Sequence, residues 1–469
     1  RLGYGSAMGK SFRRGDDTVD PHSCLYLLRP ECAYRRGDGR IGERMSSNTR
    51  CDFVIRGGRV FLDKPPYWIE ADVAVKDGRI EAIIEEKSRN ANATRGLEAL
   101  YVADTEYSAT GQMLLPGLVD FHTHVYWGGT PLGINPDKLA PLTGVTTWVD
   151  MGSAGAGNFE GLYYHVLKRS ELSIFCFLHL SYIGLVPVGD TKLRFGELFD
   201  SRLADVSEAA RICKAFPDVI KGLKIRIGME SSLTEGLAYL DMALALAEKL
   251  GLPLVVHATS APPRTAEVLS RLRCGDVYTH CFSSSPTSGI IEESGKLIPE
   301  AIKAKKRGVR FDLGYGARSF DSVTARKAIE QGFFPDFVSS DLHAYSLAST
   351  ISGLPAAISS LCRAGLPLEE AILGATARPA DYLGLGVDNN LGRIRAFPGK
   401  AGRLQTGSPA DICLLSWSKE EAEHVDGSGR LSRGPSLEVG AVFRCGRRLE
   451  SFDDGRREAR WKPGLVTHR

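Results

Sequence analysis

The chain of 469 residues exceeds one ordinary domain and is long enough to bury a large core. Its 43% hydrophobic and 25% charged residues describe a soluble globular protein, and no apolar run approaches the ~20 residues that a membrane helix requires. A formal net charge of +3, with basic residues dispersed rather than striped along one element, gives no electrostatic case for nucleic acid and makes a small molecule the expected partner.

Residues 1–44 are rich in arginine and glycine without a sustained apolar period, and are expected to be an unfolded extension. Their apolar piece at 25–28 is too short for a secretory signal, and the folded protein is expected to begin at Met45. The 10 cysteines include no CxxC pair, in a chain that needs no disulfide staples, which fits a reducing, cytoplasmic setting.

From Cys51 the pattern becomes short strands at 51–55, 59–62, 71–75 and 80–84, punctuated by Gly57-Gly58 and Asp77-Gly78. Its counterpart returns at 412–415 and 442–445, after the turn residues 407–411. Segments 51–114 and 391–450 are therefore expected to pair into one small β-sandwich. The middle, 115–390, alternates apolar strands at 115–122, 145–151, 174–180, 222–227, 252–257, 276–281, 309–313 and 337–341 with helical periods at 159–169, 206–215, 235–250, 264–272, 298–306 and 323–331. Near-continuous apolar strands joined by helices predict a parallel (β/α)8 TIM-type barrel, whose chemistry sits at the C-terminal strand ends.

Polar residues collect at those ends. In Gly117-Leu118-Val119-Asp120-Phe121-His122-Thr123-His124 the two histidines occupy alternate positions of an extended segment and share a face, with Asp120 behind them. Two convergent imidazoles suit a divalent metal of zinc type, although the pair alone equally suits hydrogen-bonded histidines at a strand end. Strand 4 carries Lys224 and Arg226 on one face, opposite Leu223, Ile225 and Ile227. Strand 5 stops at His257, strand 6 at His280 and strand 8 at Asp341.

This constellation resembles the amidohydrolase superfamily from about residue 51 to 447. In that family an HxH after strand 1, a carboxylated lysine after strand 4, histidines after strands 5 and 6 and an aspartate after strand 8 hold two metals. The resemblance implies that His122 and His124 bind the more buried ion, His257 and His280 the more exposed one, an N6-carboxylated Lys224 bridges both, and Asp341 completes the first; zinc is the implied metal. The stretches 122–130, 144–158 and 279–282 look like the amidohydrolase/deacetylase branch labelled dihydroorotase-like. Dihydroorotases carry an arginine two residues after the HxH pair, and Tyr126 stands there, which disfavours that activity. Gly314-Tyr315-Gly316 stands where the deacetylase branch has a histidine between the glycines, a departure that bears on the substrate and not on the metals.

The resemblance thus implies a two-metal hydrolase that opens an amide or ester bond of a small acylated, carboxylate-bearing molecule with hydroxide generated at the metals, Asp341 carrying the proton. A cyclic amidohydrolase is the alternative; a ligand-poor scaffold or a one-metal deaminase is disfavoured, since all six ligands are present and no acid closely follows His257. Arg226 and Tyr315 are candidate substrate contacts. His179, inside strand 3, reads as a core histidine, Lys221 as the lesser rival of Lys224, His343 as a residue orienting the strand-8 loop, Cys281 as a buried structural thiol and 152–157 as a turn of small residues. The oligomeric state, homo-oligomer included, is left open.

Overall fold

The computed structural model describes residues 49–85, 101–188, 196–258, 260–283, 285, 289–316, 319–347, 353–385 and 401–451. The expectations for residues 1–44 and for Met45 lie outside the described residues. Among the described residues no helix is long and apolar enough to cross a membrane, and eight cysteines are free.

The middle of the chain is a curled parallel sheet. Leu118–Thr123, Val145–Gly155, Ser173–His179, Ile220–Ile227, Leu254–Ala258, Val277–Tyr278 and Arg310–Phe311 pair in that order. The eighth segment, 337–342, forms no ladder of its own but closes the ring through parallel bridges Asp312–Phe337 and Thr123–Leu342. Backbone bonds Leu313 N→Phe337 O (3.0 Å) on one side and Asp341 N→His122 O (2.8 Å) on the other carry that closure. The predicted (β/α)8 barrel is the fold. Its floor is an apolar plug of Val119, Phe121, Met151, Phe177, Val255 and Phe337, with Phe121 and Phe337 ring centroids 4.2 Å apart.

The helices follow amphipathic pattern and caps. Val206–Ala215 has the predicted bounds because Asp205 accepts from Glu208 N at its start and Ala209, Ile212 and Cys213 form its buried stripe. The helix expected at 159–169 is instead an α turn, Phe159–Leu162, followed by a π turn, Tyr163–Leu167.

The first predicted strand, 115–122, is two strands of different sheets. Met113–Pro116 pairs antiparallel with Ile412–Trp417, and the barrel begins at Leu118. Gly117 marks the crossing: a Cβ there would lie 2.2 Å from Thr146 Oγ1, so only glycine lets the chain pass. The terminal segments do join, but as one curled sheet rather than two stacked ones, in the order Arg447–Arg448, Leu437–Arg444, Ile412–Trp417, Met113–Pro116, Phe53–Asp63, Pro66–Lys76, Arg79–Glu85. Its far strand turns back onto the segment before Ile412 through Ile80 N→Ser408 O (2.9 Å) and Gly407 N→Ile80 O (2.7 Å), enclosing Phe53, Val73, Ile80, Ile412 and Phe443.

Candidate metal centre

Five barrel strands, the first, fourth, fifth, sixth and eighth, deliver the six candidate ligands to one end. On strand 4 the alternation predicted from sequence holds: Leu223, Ile225 and Ile227 pack outward in the main core, and Lys224 points inward. On strand 1 simple alternation fails. Val119 and Phe121 line the barrel floor, yet His122 and His124 line its mouth, because the pairing with strand 2 shifts register between Asp120 and Thr123. Asp120 does stand behind them: it accepts from Ser340 N (2.9 Å) and binds Ser340 Oγ, tying strand 1 to strand 8. Burial raises its carboxyl to about 7 against these hydrogen bonds. His280 and Asp341 lie just past their strands with φ of 59° and 48°, left-handed backbone that residues with a Cβ rarely adopt and that swings both side chains into the mouth.

The ligand atoms of His122, His280 and Asp341 all lie within 4.8 Å of one another. Asp341 Oδ1 is 3.5 Å from His122 Nε2 and 3.2 Å from His124 Nε2, which adds His124. His280 Nε2 is 3.2 Å from His257 Nδ1, which adds the largely buried His257. Lys224 is 1% exposed, and its Nζ is buried without a hydrogen-bond partner among the described residues. Burial lowers its amine to about 7, against the raising pull of Asp341 and Asp312. Burial likewise holds the His122 and His257 imidazoles well below their ordinary value and brings His280 to about 3, so all three are neutral at physiological pH. Burial alone would raise the Asp341 carboxyl, but the groups facing it, the hydrogen-bonded His124 among them, hold it well below the ordinary carboxylate range, so it is ionised.

The other ring nitrogens are anchored. His122 Nδ1 meets Asp312 Oδ2 and Thr279 Oγ1, each at 3.0 Å, leaving Nε2 for the cluster. His124 Nδ1 meets Ser153 Oγ at 3.0 Å, and His280 Nδ1 donates to Gly314 O at 2.8 Å. Such outer partners set tautomer and ring direction. The sequence pattern does not single out Asp312; its one signal is a carboxylate inside the apolar run 309–313.

The sequence profile of the amidohydrolase family matches residues 113–427. The chain belongs to the amidohydrolase family. It is 32% identical over 358 residues to a deacetylase of Brucella anthropi, covering 76% of this chain and 82% of that one. It is also 32% identical over 332 residues to a deacetylase of Agrobacterium fabrum, covering 71% and 77%. Among solved structures, a dihydroorotase superposes with a TM-score of 0.70 at 28% identity, covering 85% of this chain and 98% of that one, and an adenine deaminase shares the fold with a TM-score of 0.71 at 24% identity.

This amidohydrolase is a hydrolase of C–N bonds, and the family generally uses a divalent metal site. The chain's own atoms fit such an ion. Neutral imidazoles and an ionised carboxylate form a nitrogen and oxygen donor set suited to zinc-type cations, and the partnerless Lys224 nitrogen adjoins it.

The substrate residues fare differently. Arg226 Nη1 is bound to Glu197, so its charge is already paired. The Tyr315 hydroxyl is hydrogen-bonded to Ser360 Oγ at 2.7 Å, and its ring packs on Phe320. Tyr126, at the position of the dihydroorotase arginine, is buried with its hydroxyl on Asn158 O at 2.9 Å. His343 sits beside His124, ring centroids 6.2 Å apart, and accepts from Ser346 N. Lys221 stacks on Phe175 and Cys281 is buried, both outside the cluster. His179 is fully buried; its Nδ1 accepts from Ser181 N at 2.9 Å, while its Nε2 has no partner among the described residues.

Proposed function

We propose that this chain is a two-metal deacylase that hydrolyses the amide bond of a small acylated molecule. The observation that carries the reading is the convergence of His122, His280 and Asp341 within 4.8 Å, flanked by His124, His257 and a partnerless Lys224. His122, His124, His257, His280, Asp341 and an N6-carboxylated Lys224 would hold two divalent ions, zinc the first choice. Bound ions of this type lower the pKa of water and polarise a carbonyl.

The protein's own part is orientation and proton handling. Asp312 and Thr279 fix the His122 ring, Ser153 fixes His124 and the Gly314 carbonyl fixes His280, so the donors need not reorganise during reaction. Asp341 Oδ1 is engaged by two imidazoles, whereas Oδ2 faces Gly316, where a Cβ would intrude at 2.6 Å. Oδ2 is the atom that takes the proton of the attacking water and returns it to the leaving nitrogen, and an ionised carboxylate is the form that can accept it.

The deacetylase relatives support an acyl amide as substrate. A cyclic amide is the second reading, favoured by the likeness to a dihydroorotase and opposed by Tyr126 at the arginine position. A substrate carboxylate, expected to rest on Arg226, meets a side chain already paired with Glu197. The test measures metal content and turnover of N-acyl amino acids, uncharged N-acyl amines, acyl hydroxy acids, dihydroorotate and hydantoins with zinc or manganese present. Near two ions per chain with amide turnover is the expected result; protein that binds no ion and turns over none of these overturns it.

A further inference from the structure

Two buried nitrogens lie in the barrel mouth without partners among the described residues, His179 Nε2 and Lys224 Nζ. They belong to adjacent strands at the same level, His179 being the registered partner of Lys224 in the parallel pairing. Both side chains run past Gly152: a Cβ there would stand 2.6 Å from Lys224 Cγ and 3.3 Å from His179 Cδ2, the carbon bonded to Nε2. The histidine is 0% exposed and the lysine 1%. Ser181 N–H donates to His179 Nδ1 at 2.9 Å, so the ring proton sits on Nε2. Two donors buried side by side, each without an acceptor, cost free energy that a folded protein ordinarily avoids. One group between them would satisfy both.

We propose that His179 is a positioning residue for Lys224, donating its Nε2–H to an oxygen of the carbamate that Lys224 forms with carbon dioxide. The proposal rests on the carboxylated-lysine part of the function proposed above. In the step itself, the lone pair of the neutral Lys224 Nζ forms the N–C bond to carbon dioxide, one C=O electron pair moves onto oxygen, and the proton lost from nitrogen goes to solvent. The product keeps one N–H on the lysine nitrogen and adds two acceptor oxygens. One oxygen takes the His179 hydrogen bond and is thereby held in orientation, and the histidine acts on metal loading only through the lysine.

The experiment compares wild type with His179→Gln, which retains an N–H donor, and His179→Met, which has similar length and none. Metal-stripped proteins are titrated with zinc at graded 13C-bicarbonate, and carbamate carbon is read by 13C NMR alongside metal content. Wild type and His179→Gln should load at similar bicarbonate, whereas His179→Met should need roughly ten- to a hundredfold more, the range of a hydrogen bond to a charged group. Equal bicarbonate dependence of the methionine variant, with carbamate present, overturns the role of His179 and leaves the two-metal reading standing. Wild type that binds two ions with no carbamate signal overturns the carboxylation reading and this proposal together. If the methionine variant does not fold, the His179 Nε2 nitrogen resonance of wild type decides: a shift on carboxylation supports the hydrogen bond, and an unmoved resonance overturns it.

Discussion

Gly152→Ala tests whether the Lys224 side chain is held where the site needs it. Gly152 has φ of +81°, so an alanine there meets left-handed backbone worth about 1 to 2 kcal/mol. Its Cβ would also lie 2.6 Å from Lys224 Cγ and 2.8 Å from Lys224 Cβ, atoms at the root of the side chain that cannot swing aside as a flexible tip would. Overpacking of this kind costs about 1 to 3 kcal/mol, so the variant should lose about 2 to 5 kcal/mol in total. Gly111→Ala is the control, since Gly111 has φ of +76° and nothing within 4 Å of an added Cβ; it should show the backbone cost alone. Because relief of the clash must displace Lys224, Gly152→Ala should also fall below one metal ion per chain while Gly111→Ala keeps its full complement. Chemical denaturation and elemental analysis on the two variants read both effects. A Gly152→Ala protein as stable as the control and fully metallated would refute the packing argument and the placement of Lys224 at the site.

Lys224→Ala should lose metal and activity together, with partial recovery in short carboxylates or bicarbonate; full activity would remove the lysine from the site. Asp341→Asn should retain metal but turn over ~10² to 10⁴ times more slowly, and near-normal turnover with metal bound would move the proton to another group. Asp312→Ala removes the acceptor that fixes His122 Nδ1 and should weaken metal binding about 10- to 100-fold, as read by competition with a chelator. Carboxylation of metal-free protein at fixed carbon dioxide pressure should rise with pH around 7 rather than around 10.5: burial depresses the amine to about 7, so the neutral, nucleophilic form prevails above that value and is lost below it. A midpoint near 10 by 13C NMR would contradict the buried placement.

Much of this molecule was legible because local pattern and tertiary position agree. The strands at 145–151 and 222–227 and the helix at 206–215 are apolar runs or stripes with their own punctuation, and each forms where the pattern puts it. Five of the six proposed ligands were legible through position alone, as polar residues at the ends of apolar runs, and the sixth, Lys224, through the alternation of 222–227, which begins just after a register shift at Lys221. What failed were features that need two distant segments at once. The junction at Gly117 divides one apolar run between two sheets, which becomes visible only when Ile412–Trp417 is laid beside Met113–Pro116. Strand 8 is held by bridges to Asp312 and Thr123, and nothing within 337–341 reports that it will lack a ladder.

The same distinction separates the site residues whose surroundings are legible in the sequence from those whose partners are not. A histidine needs one reachable neighbour to be recognisable, and His122 with His124 supply each other. Asp312 acts on His122 from 190 positions away, Tyr315 spends its hydroxyl on Ser360 45 positions away, and Arg226 is neutralised by Glu197 29 positions earlier. For each, the side chain's chemistry was readable and its partner was not. His280 and Asp341 show the limit from the other direction. Their positive φ breaks the strand alternation at the residue where chemistry is needed, so the strict period that identifies a strand cannot place the ligand that ends it. The mouth of a barrel is where those departures gather, since a ligand must leave the wall to face the axis. Local irregularity at a strand end, read together with residue type, is therefore an informative signal there, beside the regular alternation that places Lys224.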